Sequence, residues 1–232
     1  MTARPRTPFM APAVWAAVAA ALLSACPARA ADESAAAPEP RYWLSVAALM
    51  GSTQPDAKLA DYQWRTTPAA GWGGQVLVGR GLAGLGVRVW DSGTDQSIDV
   101  PGASVNAAAV NELTYEALLT ARLWRVAGMN VEPSLSGGRL HMSYHPDQVS
   151  IPTGGPSGAT MVQLGPINEW QWGAGLALSR PFAGAWSAGL GLDARFYSLD
   201  TAHRNGSVIE TGRESFGDWS LRFRIARQIR IG

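Results

Sequence analysis

The residues best suited to chemistry in this 232-residue chain lie in the run His141-Met142-Ser143-Tyr144-His145. A hydroxyl beside an imidazole is the minimum for nucleophilic acyl chemistry, because the imidazole can take the proton of the hydroxyl. Successive side chains of a β-strand point to opposite faces, so His141 and Ser143 share one face. Val131, Pro133 and Leu135 lie an even number of positions before His141, so this face is the apolar one. The pair is therefore a candidate catalytic site on the outer surface of a strand.

Other interpretations of this run stay open. Polar residues also occur where the end of a strand meets water. Gly137 and Gly138 precede the run and could form a β-bulge, which would reverse its parity. Two histidines four positions apart on a strand are too distant to share one ion. Scattered aspartates in a solvated loop, here Asp91, Asp95 and Asp99, rarely hold a cation. We therefore expect no metal and no cofactor.

Eight segments of alternating apolar and polar residues must position these side chains. The segments are roughly 41–51, 71–81, 84–92, 109–125, 129–143, 168–180, 185–199 and 215–231. Long connections, about 52–70, 93–108, 144–167 and 200–214, alternate with short turns. This rhythm predicts an all-β fold, an eight-stranded antiparallel up-and-down transmembrane β-barrel with both chain ends at the periplasmic, short-turn side. Ten strands stay open as an alternative, because Ala159 to Leu164 could form part of another strand.

The polar faces of these segments carry charges that would point into the barrel. An unpaired buried charge is costly, so acids and bases in the lumen must pair or meet water. Either they form a polar plug that fixes the barrel shape, or they line a narrow or gated ion path. The predicted lumen ion-pair network contains Arg88, Glu112, Glu116, Arg122, Glu132, Asp193, Arg195, Arg222 and Arg224.

Tryptophans lie near the ends of the predicted strands. Transmembrane barrels carry aromatic girdles at both membrane interfaces, because an amphipathic ring prefers the headgroup region. The alternative is a water-soluble periplasmic barrel of the lipocalin kind, whose apolar faces would form a core. The predicted girdle contains Trp43, Trp72, Trp90, Trp124, Trp170, Trp172, Trp186 and Trp219.

Residues 1–30 have the features of a secretory signal peptide. Arg4 and Arg6 give a positive start, an apolar run follows, and Ala28-Arg29-Ala30 offers a cleavage site after Ala30. A competing interpretation is a lipoprotein signal, in which Cys26 would be lipidated. Both routes lead to the Gram-negative envelope, and we expect the mature chain in the outer membrane.

The remaining chain divides into a linker over 31–40 and a barrel over 41–232. The formal net charge is +1 and no basic block is present, so we expect no nucleic-acid partner. Arginine greatly outnumbers lysine, which suits contact with lipopolysaccharide phosphates. Asn205-Gly206 is a strong hairpin signal and predicts that the last two strands project beyond the membrane.

The alternating segments and their aromatic ends resemble the small outer-membrane barrels of the opacity-protein and OmpA-transmembrane-domain type. The resemblance rests on pattern and covers nearly the whole mature chain. It implies insertion by the barrel-assembly machinery and contact with outer-membrane lipid and lipopolysaccharide. Such barrels usually end in a strand with a terminal Phe or Trp, whereas this sequence ends in Ile229-Arg230-Ile231-Gly232.

No motif in the sequence identifies a reaction. We expect a non-enzymatic structural or surface-interaction protein, or a very small porin-like pore, whose loops contact an envelope protein partner. The His141–Ser143 pair resembles the His-x-Ser pair of lipid A deacylases, which implies a lipid-modifying hydrolase as an alternative. In that family an Asn follows the pair, whereas Tyr144 follows it here. A scaffold subunit of an envelope secretion or assembly complex is the third hypothesis.

Overall fold

A computed structural model describes residues 42–153, 158–205 and 208–231. The predicted signal peptide, its cleavage site, Cys26 and the linker lie outside these residues. The strands are β1 (Tyr42–Gln54), β2 (Ala69–Arg80), β3 (Ala83–Ser97), β4 (Ala107–Ala121), β5 (Trp124–Val126), β6 (Met129–His145), β7 (Gln148–Pro152), β8 (Ala159–Gln163), β9 (Ile167–Ala183), β10 (Trp186–Asn205) and β11 (Val208–Ile231).

Eight of these strands close into one antiparallel ring. The order is β1-β2-β3-β4-β6-β9-β10-β11, and β11 pairs with β1 to complete the circle. The short β5 follows β4 and pairs with the first residues of β6. Closure leaves no sheet edge along the wall, as a membrane-spanning barrel requires. The predicted eight-stranded up-and-down barrel is confirmed.

The strand that Ala159 to Leu164 suggested exists, but it lies outside the barrel wall. β7 and β8 pair only with each other, as a two-stranded sheet inside the long connection between β6 and β9. Leu164 N donates to Asp147 O at 2.7 Å at the base of this sheet, and Ser104 N donates to Ser150 O at 2.9 Å, which ties the sheet to the connection between β3 and β4. The barrel therefore has eight strands, with an added hairpin at its long-loop end.

The last two strands are longer than the pattern predicted. β10 and β11 pair without interruption from Trp186↔Arg227 to Asn205↔Val208. The prediction of a long loop over 200–214 is therefore wrong, because these residues continue the two strands outward. The hairpin that Asn205-Gly206 signalled agrees with this pairing, while Gly206 and Ser207 lie outside the described residues.

Side chains alternate across the wall as a barrel requires. In β4, Glu112, Thr114, Glu116 and Leu118 are buried, whereas Tyr115 and Leu119 are half exposed. The same alternation runs through β6, where Leu140 and Met142 are buried inside. Gly137 and Gly138 pair in continuous register with β4, so no bulge reverses the parity of the residues that follow. His141 and Ser143 therefore face outward.

A short 3-10 helix, Ala57–Tyr62, folds over the long-loop end of the barrel. It begins at Asp56, whose carboxylate accepts hydrogen bonds from Lys58 N and from Gly217 N on β11. Its Leu59 is 1% exposed and joins an apolar cluster inside the barrel end. We call this cluster the outer cap; it comprises Leu59, Trp64, Val110, Leu140, Met142, Tyr197, Leu199 and Phe216. No helix within the described ranges is long and apolar enough to cross a membrane.

Candidate functional site

The barrel interior holds three layers of charged side chains below the outer cap. In the first layer, Arg195 on β10 lies between Glu112 of β4 and Asp218 of β11. Its Nη2 is 3.2 Å from Asp218 Oδ2 and 3.8 Å from Glu112 Oε2. Tyr197 links this layer to the cap, because its hydroxyl donates to Asp218 Oδ1 at 3.1 Å. All these side chains are buried, so the arginine holds both carboxylates in place.

The middle layer spans the barrel from β3 to β11. Arg88 forms an ion pair with Glu116 and a second with Asp193, at 2.9 Å. Arg222 lies 3.5 Å from the other oxygen of Asp193. Gln171 donates to Glu116 Oε1 at 3.0 Å. The layer joins different strands across the lumen.

The third layer lies toward the short turns and is centred on Glu132 of β6. Arg224 Nη2 donates to Glu132 Oε2 at 2.7 Å, and Ser179 Oγ donates to Oε1 at 2.7 Å. Arg122 approaches the same carboxylate at 3.7 Å. Between this layer and the middle one remains a cavity of about 40 Å³.

The structure brings together all nine residues of the predicted lumen network. It adds Asp218, which sequence analysis missed although it lies two positions before Ser220 and four before Arg222 on the inward parity of β11. The three layers then contain five arginines and five carboxylates, so their formal charges cancel. The pairs are those of Arg88, Arg122, Arg195, Arg222 and Arg224 with Glu112, Glu116, Glu132, Asp193 and Asp218.

Two of the eight tryptophans predicted for the interface girdle lie inside the barrel. Trp43 is 2% and Trp90 is 0% exposed, so their assignment to the girdle is wrong. Trp43 donates to Gly81 O at 3.1 Å and lies under the Arg122 guanidinium at 4.3 Å. Trp90 donates to Thr53 Oγ1 at 3.2 Å and lies under Arg222 at 4.9 Å.

The physical reason is the space that glycines leave on the inner face. A Cβ atom at Gly79 or Gly84 would overlap the Trp43 ring, and one at Gly71 would overlap the Trp90 ring. Indole rings over bare backbone fill the lumen and stack on arginines, a favourable cation–π arrangement. Both tryptophans therefore belong to the plug.

The other six tryptophans of the predicted girdle face away from the lumen. They are between 43% and 69% exposed and lie near the two ends of the wall. Large apolar side chains lie between them on the same outer surface, among them Val76, Val87, Leu119, Leu135, Leu190 and Phe223. The outer wall thus carries an apolar band with tryptophans at its margins: Trp72, Trp124, Trp170, Trp172, Trp186 and Trp219.

His141 and Ser143 lie on the outward face of β6, near the long-loop end. His141 Nδ1 is 2.7 Å from the Asn168 side-chain oxygen on the paired strand β9. The side chain that contacts the imidazole is thus an amide. Because an amide oxygen only accepts, this contact has the imidazole donating from Nδ1.

The long-loop end is held together by polar contacts outside the wall. Tyr62 donates to Glu214 Oε1 at 2.6 Å, and partial burial together with this hydrogen bond raises the pKa of the phenol. Arg213 pairs with Glu169 and with Asp200, and these hydrogen bonds raise the pKa of its guanidinium. The contacts tie the 3-10 helix and β9 to the projecting hairpin.

No family model matches the sequence, and no curated protein matches it. Solved structures similar to it are outer-membrane barrels. A major outer membrane protein from Thermus thermophilus is 16% identical, covers 81% of this chain and 99% of its own, and has a TM-score of 0.46. The outer membrane protein AlkL is 9% identical, covers 89% of this chain and 98% of its own, and has a TM-score of 0.42. Ail, the attachment invasion locus protein of Yersinia pestis, is 10% identical, covers 81% of this chain and 99% of its own, and has a TM-score of 0.38. At these identities the likeness concerns the fold alone.

Proposed function

We propose that the chain is an outer-membrane barrel with a closed interior, which presents structured hairpins to a partner at the cell surface. The band of apolar side chains with tryptophans at its margins supports insertion into a bilayer, since a soluble barrel would leave this surface against water. The short turns would then face the periplasm and the long connections the outside. The role is non-enzymatic on this proposal.

The observation that carries the proposal is the filled lumen beneath an ordered outer end. The outer cap, three ion-pair layers and two tryptophans occupy the interior, so transport is a poor explanation for the fold. The long connections, in contrast, form defined structure: the β7–β8 sheet and the projecting end of β10–β11. Binding residues are commonly carried by connections positioned on a rigid scaffold.

Replacing Gln148–Gln163 by a short Gly-Ser linker tests this role. The β7–β8 sheet forms its strand pairs within itself, so we expect the barrel to fold as before. Intact cells carrying the full chain or the variant would be treated with a chemical cross-linker, and the cross-linked products identified by mass spectrometry. We expect a cross-linked partner to be lost in the variant.

The control is the mobility of unboiled against boiled outer membranes on a gel. A shift for both proteins shows that the barrel is intact, so that a lost cross-link reports the hairpin. The same set of cross-linked products in both proteins would contradict a role for this hairpin. A full chain without any shift, found in the soluble fraction, would contradict the membrane barrel itself.

A lipid-modifying hydrolase is the second candidate, and the orientation of His141 favours it. The imidazole and Ser143 lie on the outward side of β6, and the imidazole donates from Nδ1 to Asn168. Ser143→Ala should then change the mass spectrum of lipid A from cells that carry the protein. Ser198→Ala on β10 is the matched control. Unchanged lipid A in the Ser143 variant would exclude this function.

A further inference from the structure

The short-turn end of the lumen opens into a cavity of about 570 Å³. We call it the vestibule; it is lined by residues of β1, β6, β9, β10 and β11, with Leu77 of β2 at its inner end. Leu77 packs with Trp43 and Leu118, and Glu132 and Arg224 of the third ion-pair layer also line the vestibule. The volume lies within the range of small-molecule sites, about 300–1,000 Å³.

The vestibule carries an excess of positive charge. Among the described residues that line it, the charged ones are Arg122, Arg224, Arg230 and Glu132. Glu132 is already bound by Arg224 and by the Ser179 hydroxyl, and Arg122 lies 3.7 Å from the same carboxylate. Over these described lining residues alone, three guanidinium groups face one carboxylate. Arg230 is exposed at the mouth of the vestibule, and no carboxylate of the described residues forms an ion pair with it.

The remaining lining is suited to hold a polar molecule. Ser45, Asn130, Ser187 and Gln228 supply neutral hydrogen-bonding groups. Gln228 also accepts from Arg122 Nη2 at 3.2 Å, while the Trp43 ring lies under the same guanidinium. Arg122 is thus fixed between a ring and an amide, which reduces the entropy lost when a ligand binds.

We propose that the vestibule binds a small polar molecule carrying an oxyanion, a phosphate or a carboxylate, which enters from the short-turn side. The planar fork of a guanidinium matches the paired oxygens of both groups. Arg230 contacts the oxyanion, Arg122 and Arg224 add their positive charge to the site, and the neutral groups contact the ligand's hydroxyls. The proposal uses the outer-membrane orientation only to place this ligand in the periplasm.

The test is calorimetric titration of the full mature chain, refolded in octyl glucoside micelles, with sn-glycerol 3-phosphate. We expect saturable binding that weakens as sodium chloride is added, because salt screens the attraction between charges. Arg230→Gln should weaken it about tenfold or more, the value of one hydrogen bond to a charged group. Arg180→Gln is the matched control, since Arg180 is an exposed arginine on the outer face of β9, and should change nothing.

A second arm separates a soluble ligand from a lipid headgroup. Micelles doped with phosphatidylglycerol abolish the heat of glycerol 3-phosphate binding if the headgroup occupies the vestibule, and leave it unchanged if the ligand is soluble. Absence of binding by the full chain, or equal binding by the Arg230 variant, would overturn the proposal. The boiled-against-unboiled gel shift, measured on each sample, separates this failure from failure of the barrel to fold.

Discussion

At the scale of single residues, Arg195 is the side chain on which the interior depends most. It is 1% exposed and faces Asp218 and Glu112, each nearly as buried. Arg195→Ala would leave two buried acids without their cation. We expect a loss of about 3–5 kcal/mol in the free energy of unfolding, as for other broken buried ion pairs. Urea unfolding in lipid vesicles, followed by tryptophan fluorescence, measures it.

Arg213→Ala is the matched control for this variant. Arg213 also contacts two carboxylates, those of Glu169 and Asp200, but its side chain is 53% exposed. Water and salt screen such a pair, so the midpoint of unfolding should hardly move. Equal losses for the two arginines would contradict the view that burial makes the interior pairs indispensable.

The inward position of Trp90 could have been derived from the sequence. Arg88 was assigned to the lumen, and Trp90 lies two positions further along the same strand, so both must share a face. The expectation of an aromatic girdle overrode this parity. By the same rule, Trp43 shares the inner face with Ser45, and Asp218 shares it with Ser220. The distances between ion-pair partners depend on strand register across the barrel, which a single sequence does not determine.

At the scale of one element, β2 shows why the inner face of the wall needs glycine. Its inward positions include Gly71, Gly73 and Gly79, and the indole rings lie against this bare backbone. Gly79→Ala would force its new methyl group against Trp43 and the Ala83 carbonyl oxygen. We expect about 1–3 kcal/mol of destabilisation from the overpacking, measured by the same urea unfolding.

Gly137→Ala provides the comparison for this substitution. Gly137 also lies in a strand, but a Cβ there meets no atom within 4 Å. The variant should be neutral or slightly more stable, because alanine lowers the entropy of the unfolded chain. Similar destabilisation by both substitutions would show that strand glycines matter for another reason than space for the indole ring.

Strand positions were largely predictable, while strand lengths at the outer end were not. Alternation of apolar and polar residues located all eight wall strands to within a few residues along the membrane-facing part. Beyond Leu199 and before Ser215 the residues are mostly polar on both faces, so the period-two signal disappears. Pairing nevertheless continues there, supported by contacts such as that of Arg213 with Asp200, at 3.0 Å.

At the scale of the whole molecule, the filled lumen predicts an electrically silent barrel. The outer cap fills one end, and the three ion-pair layers with Trp43 and Trp90 occupy the interior between the cap and the vestibule. Planar bilayers containing the protein should show no ion current. Glu116→Gln and Arg222→Gln should not create one, because each removes a charge without removing the cap. Currents that change with either substitution would instead support the narrow ion path.

The projecting part of β10 and β11 has two strand edges that lie outside the closed ring. After Tyr197, β11 is the only described strand that pairs with β10, and the residues of β11 that precede Trp219 no longer pair with β1. Asp56 covers part of the β11 edge by accepting from Gly217 N. The β10 edge keeps peptide groups that another chain could pair with. Charged residues along such an edge disfavour stacking of one copy on the next. We therefore expect Asp200 and Arg213 to disfavour pairing between the tips of barrels that are crowded in one membrane.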